Sequence, residues 1–261
     1  MNNMTFTLDS IRDIRLYQRE RGYRFSLDAL LLFDFVRKNS KIQKIQIDKN
    51  QKNKNVFPKI VDLGAGSGVI GLLLAKEKKY EKAAVWLVEL QEGLFSLACR
   101  NIALNGLEDR VTAVKADISS IREAESKGFE KGGFDIVVSN PPFRKVLSGR
   151  VCPDEEKAAA RHELRMSLPA LVKAAGYLAR TRGRFFMVYH PERLLELADA
   201  LREGGFEPKR LRFVHGRRGL SAKIALVESV KDGSPGLSVE EPLFVHDDGG
   251  YTPEISRIYE L

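Results

Sequence analysis

The chain has 261 residues, and 43% of them are hydrophobic, which is ordinary for a packed globular protein, so a sizeable core is expected. Its strongest apolar stretch, DALLLFDFV at 28–36, is short and interrupted by Asp34, which excludes a membrane span; charged residues precede it, so no signal peptide is predicted. The two cysteines, Cys99 and Cys152, have neither disulfide nor metal-site spacing, and we expect no bound metal and a cytoplasmic location. The formal net charge of +8 suits a polyanionic partner.

The first 55 residues differ in composition from the chain that follows. A helix is predicted from Leu27 to Arg37, because its apolar residues cluster on one face. Residues 41–55, KIQKIQIDKNQKNKN, are rich in Lys, Asn and Gln and predict a solvated linker. We therefore predict an N-terminal extension and linker at 1–55, a main domain at 56–230, and a C-terminal segment at 231–261 packed on that domain.

From Val56 onward, apolar runs alternate with amphipathic stretches. Strands are predicted at 60–64, 84–89, 111–117, 134–139, 184–190, 211–216 and 223–229, and helices near 69–79, 91–104, 155–179 and 191–204. Gly106 and Gly205 are predicted helix stops. This alternation predicts an α/β fold with a mostly parallel sheet and helices on both faces. The last two strands have no long helix between them, which is typical of an antiparallel hairpin.

A glycine-rich turn follows the first of these strands, in VDLGAGSGVIGLLLA at 61–75. Because glycine lacks Cβ, the backbone of Gly64, Gly66 and Gly68 can turn tightly and approach a nucleotide-type ligand. Glu89 follows one βα unit later at a strand end, where a carboxylate can accept hydrogen bonds from ribose hydroxyls. The turn alone does not separate a dinucleotide from S-adenosylmethionine.

Two further carboxylates favour S-adenosylmethionine as the cofactor. Asp62 precedes the glycines and Asp117 ends the third strand, and both would repel a pyrophosphate but suit the hydroxyls, adenine amine and ammonium of S-adenosylmethionine. The alternatives are that Gly71 only permits close helix–strand packing and that Asp117 caps a helix. The predicted cofactor-binding residues are Asp62, Gly64, Ala65, Gly66, Gly68, Glu89, Asp117, Ile118 and Asn140.

Residues 139–145, SNPPFRK, end the fourth strand abruptly, because proline cannot donate to a ladder. Ligands of open parallel sheets bind beyond the carboxyl ends of the strands, so Asn140 is expected beside the glycine-rich turn. The Asn140 side-chain carbonyl and the Pro141 main-chain carbonyl could each accept one N–H of a poorly nucleophilic amine, aiming its lone pair at a methyl group. Phe143 would stack on a planar target, the alternative being a core aromatic. The predicted catalytic residues are Asn140, Pro141, Pro142 and Phe143, which act by positioning.

These motifs resemble those of class I S-adenosylmethionine-dependent amino-methyltransferases. A resemblance over almost the whole chain is to the bacterial tRNA1(Val) adenine N(6)-methyltransferase family, carried by QRERGYRFSLDALLL, NPPFRK, DEEKAAARHE, YHPERLLEL, KRLRFVHG and YTPE. The resemblance implies a Rossmann-like, seven-stranded sheet, a short N-terminal helical extension and methylation of the adenine next to the anticodon. It also implies that Gly64 and Gly66 lie at the cofactor loop, Glu89 at the ribose, Asp117 near the cofactor adenine and 140–143 at the target.

Three nitrogen groups are candidates for the acceptor of the methyl group. Phe143 stands where many adenine-modifying relatives carry Tyr, and Phe is familiar in enzymes that methylate guanine in rRNA. A glutamine amide of a translation factor is a third acceptor, and an RNA-binding protein without turnover is the non-enzymatic alternative. We expect a monomer or homodimer whose partner is tRNA.

Basic residues are candidates for binding the phosphates of an RNA substrate. Those predicted to contact the substrate are Arg24, Arg144, Lys145, Arg161 and Arg217. Arg150, Arg165, Lys209, Arg210, Arg212 and Arg218 would extend this group if they converge. The alternative for each is a cation on a solvated face. Arg24, Ser26 and Asp28 either close over the methionine end of the cofactor or serve the start of the first helix.

Overall fold

A computed structural model describes residues 5–20, 24–40, 57–117, 128–141 and 167–259. The helices are α1 (Leu27–Asn39), α2 (Val69–Lys76), α3 (Glu92–Leu104), α4 (Leu168–Leu178), α5 (Leu194–Glu203) and α6 (Pro253–Tyr259). The longer strands are β1 (Phe6–Ile11), β2 (Ile14–Arg19), β3 (Lys59–Leu63), β4 (Ala84–Glu89), β5 (Val111–Lys115), β6 (Phe134–Ser139), β7 (Ala179–Tyr189), β8 (Phe206–His215) and β9 (Ala222–Lys231). Four two-residue strands follow: β10 (Ser238–Val239), β11 (Leu243–Phe244), β12 (His246–Asp247) and β13 (Gly250–Tyr251).

The central sheet confirms the predicted α/β fold. Seven strands have the order β5-β4-β3-β6-β7-β9-β8, and all are parallel except β9, which forms the predicted antiparallel hairpin with β8. The short β10 and β11 also pair with β8, so the sheet has nine strands rather than the expected seven. The order reverses between β3 and β6, and in open α/β sheets ligands bind at such a reversal, beyond the carboxyl ends of the strands. We call this space the crevice.

Helices cover both faces of the sheet because successive strand residues point to opposite sides. Ile60, Ile136 and Val138 pack with α1, α2 and α3 in one apolar cluster, whereas Val61 and Val137 pack with α4 and α5 in another. Every helix predicted in the main domain is present where the chain is described, although α4 begins at Leu168 and 155–166 lie outside the described residues. Gly106 and Gly205 have positive φ values just after helices, as expected of helix stops.

The N-terminal extension contains more than the predicted helix. Helix α1 has almost the predicted bounds, but a β-hairpin formed by β1 and β2 precedes it. Its residues Ile11, Ile14 and Leu16 are buried in the same cluster as α1 and α2. Sequence periodicity missed this hairpin because β1 exposes the hydrophobic Phe6 and Leu8, so apolar and polar residues do not alternate with the buried and exposed sides of the strand.

The C-terminal segment packs against the far edge of the sheet and against α1. Its strands β10 and β11 extend β8, and Ile255 and Ile258 of α6 are buried in the cluster that contains α1. Arg212 of β8 forms a two-pronged ion pair with Glu254, at 2.8 and 2.9 Å, and Lys38 of α1 contacts the same carboxylate at 3.0 Å. Among the described helices, none is long and apolar enough to cross a membrane.

Candidate active site at the crevice

The glycine-rich turn connects the carboxyl end of β3 to α2 and therefore lies at the crevice. Gly64, Gly66 and Gly68 all have positive φ values, between 59° and 89°, a region that side-chain-bearing residues seldom adopt. Gly71 has a different role: a Cβ there would lie 2.2 Å from a Leu87 methyl, so it permits close packing of α2 on β4. The interpretation of Gly71 as a packing residue therefore fits the structure.

Asp62 is a buried carboxylate directly beneath the turn. It is 1% exposed; its Oδ2 accepts a hydrogen bond from the Gly71 N–H at 3.2 Å, whereas Oδ1 has no hydrogen-bond partner among the described residues. Burial, and secondarily the nearby Glu89 carboxylate, raise the pKa of Asp62 to about 7, although the Gly71 hydrogen bond opposes the rise. An unpaired buried oxygen is costly in the free protein, and a cationic ligand group would compensate it.

Glu89 ends β4 and braces the turn. Its Oε2 accepts from the Gly66 N–H at 2.9 Å and its Oε1 from the Gln91 N–H at 2.8 Å, which holds the carboxylate at the crevice. Each oxygen retains acceptor capacity for a ribose hydroxyl. Asp117 lies two residues beyond the end of β5, the strand paired with β4, so it lies at the same edge of the sheet.

Asn140 follows β6 and is partly exposed, whereas Pro141 is buried. The preceding residue, Ser139, donates from Oγ to the Leu63 carbonyl at 2.7 Å, which ties the end of β6 to the start of the glycine-rich turn. The structure thus brings Asn140, Asp62, the glycines, Glu89 and Asp117 to one edge of the sheet. The individual roles assigned to these residues stay predictions.

Several predicted site residues lie outside the described residues. These are Ile118 of the cofactor group, Pro142 and Phe143 of the catalytic group, and Arg144, Lys145 and Arg161 of the substrate group, together with Arg150 and Arg165.

The described basic residues do not converge as one group. Arg24 contacts the N-terminal hairpin, through Asp9 Oδ2 at 2.8 Å and Thr7 Oγ1 at 2.9 Å. Arg210 is paired with Glu228 and Glu240, and Arg212 with Glu254, so they serve the fold. Arg217 and Arg218 are exposed in the loop after β8, on the crevice edge of the sheet.

Ser26 and Asp28 lie at the start of α1, where the sequence allows two roles for them: closing over the cofactor or stabilising the helix start. Ser26 occupies the N-cap position, but its side chain makes no capping hydrogen bond, and Asp28 lies in the first turn of the helix. A carboxylate in the first turn is favoured by the positive end of the helix dipole, which fits the interpretation that Asp28 stabilises the start of α1.

Asn101 is a buried residue of the site that sequence reasoning missed. It donates from Nδ2 to the Ser67 carbonyl of the glycine-rich turn at 3.0 Å, and its Oδ1 accepts from the Tyr17 N–H of β2 at 2.7 Å. The available signal was a polar residue on the apolar face of α3, in line with Leu94, Leu97 and Ala98. Asn101 therefore links the N-terminal hairpin to the cofactor turn.

The order of the sheet, the glycine-rich turn and the strand-end carboxylates define a Rossmann-like protein with a nucleotide-type cofactor site. Its carboxylates suit a cationic cofactor, since Asp62 holds an unpaired oxygen beneath the turn. Among the described residues, no group of three or more His, Cys, Asp or Glu side chains is arranged to hold a metal ion.

The chain belongs to the methyltransferase small domain family, whose family model matches residues 45–192. It is an S-adenosylmethionine-dependent methyltransferase, which confirms the cofactor predicted from Asp62 and Asp117 together with the glycine-rich turn. When bound, S-adenosylmethionine supplies an electrophilic methyl group on a sulfonium, and the residues that would hold it are Asp62, the turn glycines, Glu89 and Asp117.

Two named relatives and one solved structure are similar to this chain. The chain is 26% identical over 197 residues to the tRNA1(Val) (adenine(37)-N6)-methyltransferase of Tolumonas auensis, covering 75% of this chain and 78% of the relative. It is 32% identical over 137 residues to the enzyme of that name from Porphyromonas gingivalis strain W83, covering 52% of this chain and only 51% of the relative. The crystal structure of a predicted O-methyltransferase from Agrobacterium tumefaciens has the same fold, with a TM-score of 0.65, 21% identity and coverage of 89% and 95%.

Proposed function

We propose that this enzyme methylates the exocyclic amine of an adenine in tRNA, the adenine beside the anticodon of a valine tRNA. The observation that carries the proposal is the position of Asn140, which the Ser139–Leu63 hydrogen bond keeps beside the glycine-rich turn. The names of the two relatives above support adenine 37 as the acceptor. A tRNA acceptor also fits a cytoplasmic enzyme with a formal net charge of +8.

The chemical task is to make a delocalised amine nucleophilic. In the proposed reaction, Asn140 Oδ1 and the Pro141 carbonyl each accept one N–H of the amine, so that its lone pair points at the methyl group. The N–C bond forms as the S–C bond breaks, and the nitrogen then loses one proton to solvent. Asn140 and Pro141 act by orientation and by stabilising the positive charge that develops on nitrogen.

Pro142 and Phe143 complete the proposed acceptor site. The second proline would fix the backbone after Pro141. The Phe143 ring would stack on the adenine, and an anticodon-loop base is unstacked at a smaller cost than a paired base.

The loop after β8 supports an RNA substrate of some size. It carries exposed Arg217 and Arg218 at the crevice edge, and Leu220 beside them is 57% exposed. β8 lies three strand spacings from β6, a distance of about 14 Å across the sheet. Cations at that distance from Asn140 are suited to phosphates of the strand that carries the target base.

The test is to incubate the protein with methyl-labelled S-adenosylmethionine and total RNA, followed by nucleoside mass spectrometry. The expected product is N(6)-methyladenosine in tRNA. A valine tRNA transcript with adenine 37 replaced by guanine is the matched control and should take up no label. Label in rRNA guanine or in a protein glutamine would contradict the acceptor but keep the methyl transfer. Tight RNA binding without any label would favour the non-enzymatic alternative.

A further inference from the structure

A second cavity lies at the edge of the sheet opposite to the crevice. Its volume is about 280 Å³, and it lies where β6, β7 and β8 begin and β9 ends. Five cationic side chains line it: Arg180, Arg182, Arg184, Lys209 and Arg210. Asp135 of β6 lies at this cavity and Asn140, directly after β6, lies at the crevice; the five residues between these positions correspond to about 16 Å of extended chain. The cavity is therefore separate from the active site.

A bulge in β7 builds one wall of this cavity. Phe134 pairs with Ala179 and Ile136 with Arg184, so residues 180–183 of β7 lie opposite the single residue Asp135. Arg182 has a φ of 65°, which non-glycine residues seldom adopt. At the next position a Cβ would lie 2.7 Å from the Arg180 carbonyl oxygen, so only Gly183 fits. Strained bulges of this kind often position functional side chains.

The carboxylates at the cavity do not pair with all of its cations. Arg180 pairs with Asp135 at 2.6 Å, and Arg184 and Arg210 share the buried Glu228, while Arg210 also contacts Glu240. The other two cations donate to main-chain carbonyls: Arg182 to that of Asp232 at 3.3 Å and Lys209 to that of Ser234 at 3.1 Å.

Within the described ranges, neither Arg182 nor Lys209 has a carboxylate partner. The Asp232 carboxylate nearby accepts instead from the Thr181 hydroxyl at 2.8 Å. Burial lowers the pKa of Arg184, and repulsion from Arg210 and Arg182 lowers it further. An anion in the cavity would relieve this repulsion.

We propose that this cavity binds a phosphate group. Arginine side chains present planar, forked donors that match phosphate oxygens, and Lys209 adds a compact charge. The volume suits one or two phosphoryl groups and is below that of pockets for larger ligands. The phosphate belongs either to the backbone of an RNA or to a small phosphorylated molecule. The RNA source rests on the proposed function, whereas phosphate binding itself does not.

The test variants remove the two cations that lack a carboxylate. Arg182→Gly keeps the left-handed backbone accessible, and Lys209→Gln removes the charge but keeps a polar side chain that is one atom shorter. Arg184 and Arg210 are unsuitable because their loss would leave Glu228 buried without its partners. Ser234→Glu places a negative charge at the cavity while keeping every cation, so it tests the site even if the double variant fails to fold. Lys173→Gln, which removes an exposed cation on α4, is the matched control.

The measurement is calorimetric titration with inorganic pyrophosphate at constant ionic strength, with S-adenosylhomocysteine present to fill the cofactor site. We expect saturable binding with one site per chain, weakened at least tenfold in the Arg182→Gly/Lys209→Gln double variant and in Ser234→Glu. Lys173→Gln should bind as the unmodified chain does. Absence of saturable binding, equal affinity in the cavity variants, or an equal loss in Lys173→Gln would overturn the proposal.

A second titration identifies the source of the phosphate. If the source is RNA, total tRNA should bind at least fivefold more weakly to the double variant, and pyrophosphate should compete with tRNA. Unchanged tRNA affinity, with pyrophosphate binding lost, assigns the cavity to a small phosphorylated molecule. A chain that neither binds nor methylates tRNA would defeat the proposed function, while the pyrophosphate titration would still decide this site.

Discussion

At the scale of single residues, Asp62 couples the cofactor site to pH. Its pKa is raised to about 7 from 3.8, mainly by burial. Between those two pH values the native state holds a proton that the unfolded state has released, so the free energy of unfolding falls as pH rises through this range. Above about pH 7 the buried carboxylate is ionised and ready for a cationic ligand.

The affinity for S-adenosylmethionine should therefore fall as pH drops below about 7, because the protonated Asp62 no longer attracts its positive charges. The expected slope approaches tenfold per pH unit. Calorimetric titrations between pH 5.5 and 8.5 measure it. In Asp62→Asn the slope should be absent, and a variant that keeps the full slope would assign the titration to another group.

Substitution of Asn140 distinguishes cofactor binding from methyl transfer at the same site. Asn140→Ala should leave the affinity for S-adenosylhomocysteine within about twofold, since its carbonyl is proposed to orient the acceptor. The rate of methylation should fall by about a hundredfold or more, the range for lost stabilising groups in active sites. Single-turnover assays with labelled cofactor measure the rate, and near-normal turnover would contradict the proposed mechanism.

At the scale of elements, one asparagine in α3 and one at its C-terminal cap hold the N-terminal hairpin. Asn101 and Asn105, one helical turn apart, each accept a main-chain N–H of β2 and donate to a carbonyl of it, at Tyr17 and Arg15 respectively. Only Asn101 also reaches the glycine-rich turn, through Ser67. The hairpin thus supports the cofactor turn through Asn101.

The two asparagines form a matched pair for mutation. Asn101→Ala and Asn105→Ala should each lower the free energy of unfolding by about 1–3 kcal/mol, because each leaves main-chain groups of β2 without partners. Only Asn101→Ala should also weaken cofactor binding severalfold. Urea denaturation and calorimetry measure the two effects, and equal loss of affinity in both variants would remove the specific role of Asn101.

At the scale of the whole molecule, the Arg212–Glu254–Lys38 network joins the sheet, the C-terminal helix and α1. The hydrogen bond from Arg212, and then that from Lys38, lower the pKa of Glu254 to about 2, against the opposing effect of burial. A lowered carboxylate pKa stabilises the native state above about pH 4.5, and this stabilisation is lost as pH falls towards 2.

Glu254→Gln should therefore lower the free energy of unfolding at pH 7 by about 1–3 kcal/mol, since the network is partly buried and two-pronged. The difference from the unmodified chain should shrink steadily between pH 4.5 and 2. Urea denaturation at pH 7 and pH 3 measures both values. Glu241→Gln, at an exposed carboxylate in the same segment, is the control and should change little.

Local sequence patterns were enough to predict the alternation of strands and helices, the glycine-rich turn and the position of Asn140 at a strand end. These features depend on local rules: residue periodicity, the absence of Cβ in glycine and the inability of proline to continue a strand. The periodicity of the apolar runs also placed Glu89 and Asp117 at strand ends, and the carboxyl ends of parallel strands meet at the edge of the sheet where ligands bind.

Tertiary packing, in contrast, sets which polar groups form hydrogen bonds or ion pairs with distant parts of the chain. The unpaired oxygen of Asp62, the bond from Asn101 to the turn and the use of Arg210 and Arg212 in ion pairs each join segments far apart in sequence. The cationic cavity likewise needs the bulge of β7 beside the ends of β8 and β9. Charge and burial at one position are set by the elements packed around it, and local sequence patterns carry no information about those neighbours.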